Sequence, residues 1–431
     1  MTDISLQMNI PPRISPVSLG NLALPEKRTM PNGVPLYLLE GGGKGVVRLD
    51  ILLRGGYAVQ EKPLQAMFVN RMLREGVDGM TAEQISQKLD YYGAWIEMYS
   101  SQGCNHITLY TMSKHFGPLV ELLEAMVKRP LFPQDNLDTV RRNNRSHFMV
   151  NNRKVDVVSQ RYFENSLWGD SHPMGHIVEA GDYDAITRED LISYHSRFYN
   201  SANCSIFMTG DADSAMLDAV ERMFGTERWG SGEVLGTLNV GEPETDFSRR
   251  VVEVDDAMQS AVKIGFMALE SSHPDFFKFR FLSVLLGGYF GSRLMSNVRE
   301  ENGYTYHIAA EVDAYGCRNA FMISSECDGS YVAPLMDEVY KEIGRIVDEP
   351  IPADEVELVR NYILGELMRE YEGQFAKTEV FVNAMLSGES FASVNDYLNV
   401  VRTVTAEELE EVARKYLKKD RMIEIIAGAM G

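Results

Sequence analysis

Between positions 47 and 53 apolar residues occupy every second site, Val47, Leu49, Ile51 and Leu53. A period of two places these side chains on one face of a β-strand and buries that face. Pro31-Asn32-Gly33 marks a turn before a strand that runs through Leu39, and the glycines at 41–45 mark a second turn between the two strands. Helices are predicted over 64–74 and 81–92, and strands over 95–99 and 105–112. Two more helices follow Pro118 and Pro133, each with proline near a first turn, where the missing N–H breaks no hydrogen bond. Strand pairs joined by short turns, with helices grouped between them, imply an α+β fold. Each unit is an antiparallel β-sheet with helices packed on one face.

The pattern then repeats. Phe132-Pro133, Leu137 and Val140-Arg141 return as Ile351-Pro352, Val356 and Val359-Arg360, an offset of 219. Thr187-Arg188-Glu189-Asp190-Leu191 returns as Thr405-Ala406-Glu407-Glu408-Leu409, an offset of 218. Short apolar strands end at Gly210 and Gly428, and Gly103-Cys104 is matched by Gly316-Cys317. Landmarks in one order at one spacing imply a tandem duplication of two homologous domains, about 215 residues each. The domains are expected at 1–224 and 250–431. The glycine-rich stretch 225–249 is expected as a linker that holds them at a distance.

Composition narrows the function classes. With 62 Asp+Glu against 42 Lys+Arg, the 431 residues carry a formal charge of −20, the wrong sign for nucleic acid or an anionic membrane. No apolar run reaches the ~20 residues of a membrane helix. The first residues, Met1-Thr2-Asp3-Ile4-Ser5, lack the basic and apolar regions of a secretory signal. Cys104, Cys204, Cys317 and Cys327 show no CxxC spacing, which fits reduced thiols and a cytoplasmic location. The run Gly41-Gly42-Gly43-Lys44-Gly45 lacks the spacing of a phosphate loop and reads as a hairpin turn. His172 and His176 have ligand spacing, but Pro173 and Gly175 between them leave no helix to fix the geometry.

On the helix predicted over 64–74, Met67, Asn70 and Arg71 stand at i, i+3 and i+4 and so share one face. An HxxEH zinc helix uses the same spacing, with two imidazoles one turn apart and a carboxylate as base. A guanidinium stays protonated and repels the ion, a thioether binds it poorly, and an amide is no base. No zinc site is expected on this helix.

The surrounding run, Ala66-Met67-Phe68-Val69-Asn70-Arg71-Met72-Leu73, resembles the corresponding helix of the pitrilysin and insulinase-like inverzincin metallopeptidases. Ser171-His172-Pro173-Met174-Gly175 resembles a later landmark of that family, and so does Val298-Arg299-Glu300-Glu301-Asn302-Gly303-Tyr304-Thr305-Tyr306 in the second copy. The resemblance covers nearly the whole chain. It puts Met67, Asn70 and Arg71 on the positions of the first histidine, the glutamate and the second histidine, and the third ligand near Ser146 or His147, where there is no carboxylate. It also implies that Arg299 and Tyr306 bind substrate, donating hydrogen bonds to peptide carbonyls and to the developing oxyanion. From the residues alone, an Arg299 pair with Glu300 or Glu301 and an interfacial Tyr306 remain open.

What the resemblance implies is a non-catalytic subunit, similar to those of heterodimeric processing peptidases. It would have no cofactor of its own, the zinc lying in a homologous partner, and peptides would be the substrates. In isolation a homodimer is a further expectation. Two other readings stand beside it: a structural pseudopeptidase without proteolytic role, and an independent peptidase with a metal site relocated to His147, His172 or His176.

Overall fold

The computed structural model describes residues 19–39, 45–236, 242–316 and 318–429. The turn residues 41–44, Cys317 and the first eighteen residues lie outside the described residues. The first half runs β1 (Glu26–Thr29), β2 (Pro35–Leu39), β3 (Val46–Arg54), α1 (Gln65–Met72), the short pair β4 (Gly76–Val77) and β5 (Met80–Thr81), and α2 (Ala82–Tyr92). It continues through β6 (Trp95–Ser100), β7 (Cys104–Met112), α3 (Phe116–Lys128), α4 (Gln134–Asn151), α5 (Val155–Trp168), α6 (Ala180–Ala185), α7 (Arg188–Phe198), β8 (Cys204–Gly210) and α8 (Ser214–Val220).

The second half begins with β9 (Arg249–Glu253), β10 (Ser260–Met267), α9 (Phe276–Gly287) and a π-helix (Met295–Glu301). After it come β11 (Thr305–Tyr315), β12 (Arg318–Cys327), α10 (Val332–Asp348), α11 (Ala353–Glu370), α12 (Gln374–Leu386), α13 (Ser393–Thr403), α14 (Ala406–Tyr416) and β13 (Ile423–Gly428).

Each half has its own sheet. The first has strand order β1-β2-β8-β3-β7-β6, the second β11-β12-β10-β13-β9. All neighbours are antiparallel except β2–β8 and β13–β9. The repeated sequence landmarks do the same local work in both halves. Thr187 and Thr405 close capping boxes at the starts of α7 and α14. Pro133 and Pro352 cap α4 and α11. Arg141 then donates to the carbonyl of Ile186 at 3.2 Å, and Arg360 to the carbonyl of Val404 at 2.8 Å.

Alternation along β3 behaves as expected on one face: Val47, Leu49, Ile51 and Leu53 are fully buried in the first core with α1, α3, α4 and α7. The other face departs from the usual pattern, because Arg48, Asp50 and Leu52 are buried too. The reason is a reciprocal exchange of helices. From the second half, α12 crosses the outer face of the first sheet, where Thr378 hydrogen-bonds Thr209 at 2.7 Å and Phe381 clusters with Leu52 and Phe207. From the first half, α5 crosses the second sheet and packs Phe163, Leu167 and Trp168 on Met322, Ile423 and Ile425. Each sheet thus has its own helices on one face and a single borrowed helix on the other.

The halves are therefore packed together, not held at a distance by the stretch 225–249. Its described part is itself tied down: the Thr245 hydroxyl donates to the Leu167 carbonyl at 3.1 Å and the Asp246 N–H to that of Ser166 at 2.8 Å. Loop composition signals a break in periodicity and says nothing about what the loop lies on.

Candidate functional site

Helix α1 buries Ala66, Phe68, Val69 and Met72 in the first core, which fixes where its remaining face points. Asn70 is also buried, with its amide donating to the carbonyls of Tyr99 at 2.6 Å and His106 at 3.3 Å. Among the described residues its own carbonyl oxygen has no partner. Asn70 therefore pins α1 to β6 and β7. Met67 is half-buried, and Arg71 is exposed and donates to Asn144 on α4.

Zinc needs imidazole, thiolate or carboxylate donors. A thioether, an amide and a guanidinium, with a second amide from Asn144, do not fit it. Among the described residues no group of three His, Cys, Asp or Glu side chains is placed to hold a metal ion. Counting along the sequence puts the third position near Ser146 or His147, both exposed on α4. Arg71 meets Asn144 instead. The register of α4 against α1 decides this, and it is set by packing that residue counting does not see.

The histidine pair does not converge either. His172 stacks on Trp168 with ring centroids 4.6 Å apart, and His176 pairs with Asp182 at 2.9 Å. His147 is exposed on α4. Cys104 is buried, and burial pushes its thiol up to about 12, which leaves it a poor nucleophile.

Beside α1 lies β6, the edge strand of the first sheet. Its side chains alternate, and Trp95 and Tyr99 are exposed. On the far side of the α5 crossing, Glu164 accepts from Gln160 at 3.0 Å and from the Tyr315 hydroxyl at 3.3 Å. Burial pushes the Glu164 carboxyl up. Tyr57 feels both Arg71 and Glu164, and burial raises its hydroxyl as well.

In the second half, the helical segment before Gly303 carries Arg299. The last two turns are wider than an α-helix: Met295–Glu301 is a π-helix, with the Asn302 N–H reaching the Asn297 carbonyl at 3.0 Å. Gly303 ends it with φ +66°, in the left-handed region. Arg299 lies over the Phe290 ring, 4.7 Å from its centroid, with its Nε 3.4 Å from Glu300. Pairing of β11 with β12 is irregular between Thr305 and Ile308. That irregularity leaves Tyr306 87% exposed at the start of β11. Among the described residues no hydrogen bond or ion pair joins Arg299 or Tyr306 to Met67, Asn70 or Arg71.

With this geometry in hand, comparison with known proteins is specific. Residues 185–363 match the family described as the peptidase M16 inactive domain. An uncharacterized zinc protease of Bacillus subtilis (strain 168), YmxG, is 19% identical over 407 residues, covering 93% of this chain and 98% of the relative. A probable inactive metalloprotease of the same organism, YmfF, is 20% identical over 265 residues, 61% of each chain. The crystal structure of a peptidase M16 inactive domain from Pseudomonas fluorescens superposes with a TM-score of 0.84 at 20% identity, covering 94% of this chain and 98% of that one. The chain is thus similar to M16 peptidases along nearly its whole length, its residues 185–363 match that family's inactive domain, and its sequence lacks the HxxEH zinc motif.

Proposed function

We propose that this chain is the non-catalytic subunit of a two-subunit zinc peptidase, gripping peptides that a zinc-bearing M16 homologue cleaves. The observation that carries the reading is a division within one chain. The zinc positions hold Met67, Asn70 and Arg71, while Arg299 and an exposed Tyr306 stand at the end of the π-helix and the start of β11. In the assembly Arg299 and Tyr306 donate hydrogen bonds to peptide carbonyls and to the oxyanion formed at the partner's zinc. The edge strand β6, with Trp95 and Tyr99 exposed, suits a peptide added as a further strand. The chain itself holds no cofactor in this reading, forms a homodimer when its partner is missing and works in the cytoplasm. No described helix is long and apolar enough to cross a membrane. A net charge of −20 favours basic or neutral peptides.

The test is peptide hydrolysis by this chain alone, by the zinc-bearing homologue alone, and by the mixture. Activity is expected only in the mixture, falling about 100-fold or more with Arg299→Ala, the range for loss of an oxyanion donor. Equal activity without this chain would end the reading. Arg299 beside Glu300 and over Phe290 favours a purely structural second reading, in which Arg299→Ala leaves the mixture unchanged.

A further inference from the structure

The duplication buries a charged side chain on the borrowed-helix face of both sheets. Arg48 on β3 lies between Thr209 of β8 and Tyr110 of β7, and Lys263 on β10 lies between Ile425 of β13 and Ser324 of β12. Arg48 is 1% exposed and Lys263 8%. Their partners differ. Asp50 holds Arg48 through two hydrogen bonds of 2.8 and 2.7 Å, and Glu379 of the borrowed helix α12 adds an ion pair at 2.7 Å. Aligned on Gly210 and Gly428, which oppose Val47 and Ser260, Lys263 takes the place of Asp50 and Ala261 that of Arg48, and the borrowed helix α5 has Gln160 at the position of Glu379. Both carboxylates are gone.

Among the described residues Lys263 forms no ion pair, and its amine's hydrogen-bond partner is the Met322 sulfur at 3.5 Å. Asp313, Asp156, Glu164 and Glu311 act on it only through space, and burial pushes the amine down. Beside the amine is a cleft of about 430 Å³ lined by Asp156, Ser159, Tyr306, His307, Ser324 and Glu326. A buried cation that no carboxylate contacts among the described residues, opening on a cleft with hydroxyl donors, has room for a negative oxygen.

We propose that Lys263 anchors a carboxylate subsite, in which the C-terminal carboxylate of a bound peptide enters the cleft and pairs with the Lys263 amine. Ser159 and Ser324 supply hydroxyl donors for its second oxygen, and Tyr306 lies in the same lining. Asp156 and Glu326, also in the lining, oppose multiply charged anions such as phosphate and clusters of acidic side chains. A single carboxylate at the end of a neutral or basic peptide meets both conditions. The subsite rests on the peptide-gripping reading above and adds the end of the substrate that this half receives.

Fluorescence anisotropy on the full chain tests it, using one fluorescein-labelled Arg/Leu/Ala peptide with a free C-terminus and the same peptide as its C-terminal amide. Wild-type protein is expected to bind the free acid about 10-fold more tightly, the scale of one charge-assisted hydrogen bond. Lys263→Arg keeps that preference and Lys263→Met removes it. Equal affinity for the two peptides in wild-type protein overturns the subsite and leaves peptide gripping intact. Binding of neither overturns both. A preference that survives Lys263→Met places the carboxylate elsewhere and overturns the assignment.

Discussion

The outer face of the first sheet is closed by charge. Arg48, Asp50, His106 and Thr108 interlock beneath α12, with His106 and Thr108 reaching Asp50 at 2.9 and 2.8 Å and Glu379 completing the set. On the matching face of the second sheet Lys263 lacks an ion pair among the described residues and borders a cleft. Both halves descend from one pattern and exchange one helix each. The difference teaches that the duplicated framework sets where a charge is buried, Asp50 in one half and Lys263 in the other, and a few side chains decide whether the place is a seal or an opening. The vacated α1 belongs to the sealed half, and the exposed Tyr306 to the open one.

The largest expected effect comes from breaking the seal. Asp50→Ala leaves Arg48 and His106 buried without their shared carboxylate and is expected to cost about 3–5 kcal/mol in urea unfolding. A loss under about 1 kcal/mol would show that the network does not hold the halves together. Its pH dependence has a definite sign. Burial alone would raise the Asp50 carboxyl, but hydrogen bonds from His106 and Arg48 outweigh it and hold the group below its ordinary 3.8. The folded state then binds fewer protons than the unfolded one. The stabilisation is complete above 3.8 and is lost as pH falls through the lower folded-state value. Asp50→Asn should flatten that acid limb.

A smaller effect of opposite sign is expected at the open site. Lys263→Met removes a desolvated cation beside Met322 and should raise stability by about 1–2 kcal/mol while removing carboxylate binding. Burial lowers the Lys263 amine below its ordinary 10.5, so the unfolded chain binds the extra proton in that window. Wild-type stability therefore gains from this group as pH rises from the folded-state value to 10.5, and Lys263→Met loses that rise. Parallel thermal melts from neutral pH to about 10 read the difference. If both proteins respond identically, Lys263 is not the desolvated group described above.

The smallest effect concerns the start of β11. A side chain at Gly303 meets open space, so Gly303→Ala is opposed only by the left-handed φ of +66°. About 1 kcal/mol of stability should be lost. Activity of the mixed subunits should fall more than stability does, because this turn aims the segment that carries Tyr306.

Much of this was legible in the chain. The period of two in β3 gave the core face, and the Thr187 and Thr405 landmarks are capping boxes that structure both copies alike. From residue type alone, Met67, Asn70 and Arg71 were readable as a poor donor set for zinc, and their placing on ligand positions came from the resemblance. What escaped depended on long-range packing. Polar residues alternating in a strand ordinarily face water, and only α12 from the far half makes Arg48 and Asp50 a buried face. Asn144 became visible only through the register of α4. Lys263 lies on a strand face that ordinarily meets water, and the clue to its burial is its alignment with Asp50.

The central claim is that α1 is a zinc-peptidase helix emptied of its metal. Metal analysis of the purified chain tests it most directly, beside a variant in which Met67→His, Asn70→Glu, Arg71→His and Asn144→Glu restore the donors. The wild-type chain is expected to carry no zinc, and the folded four-fold variant to take up the ion stoichiometrically. Stoichiometric zinc in the wild-type chain would contradict the account.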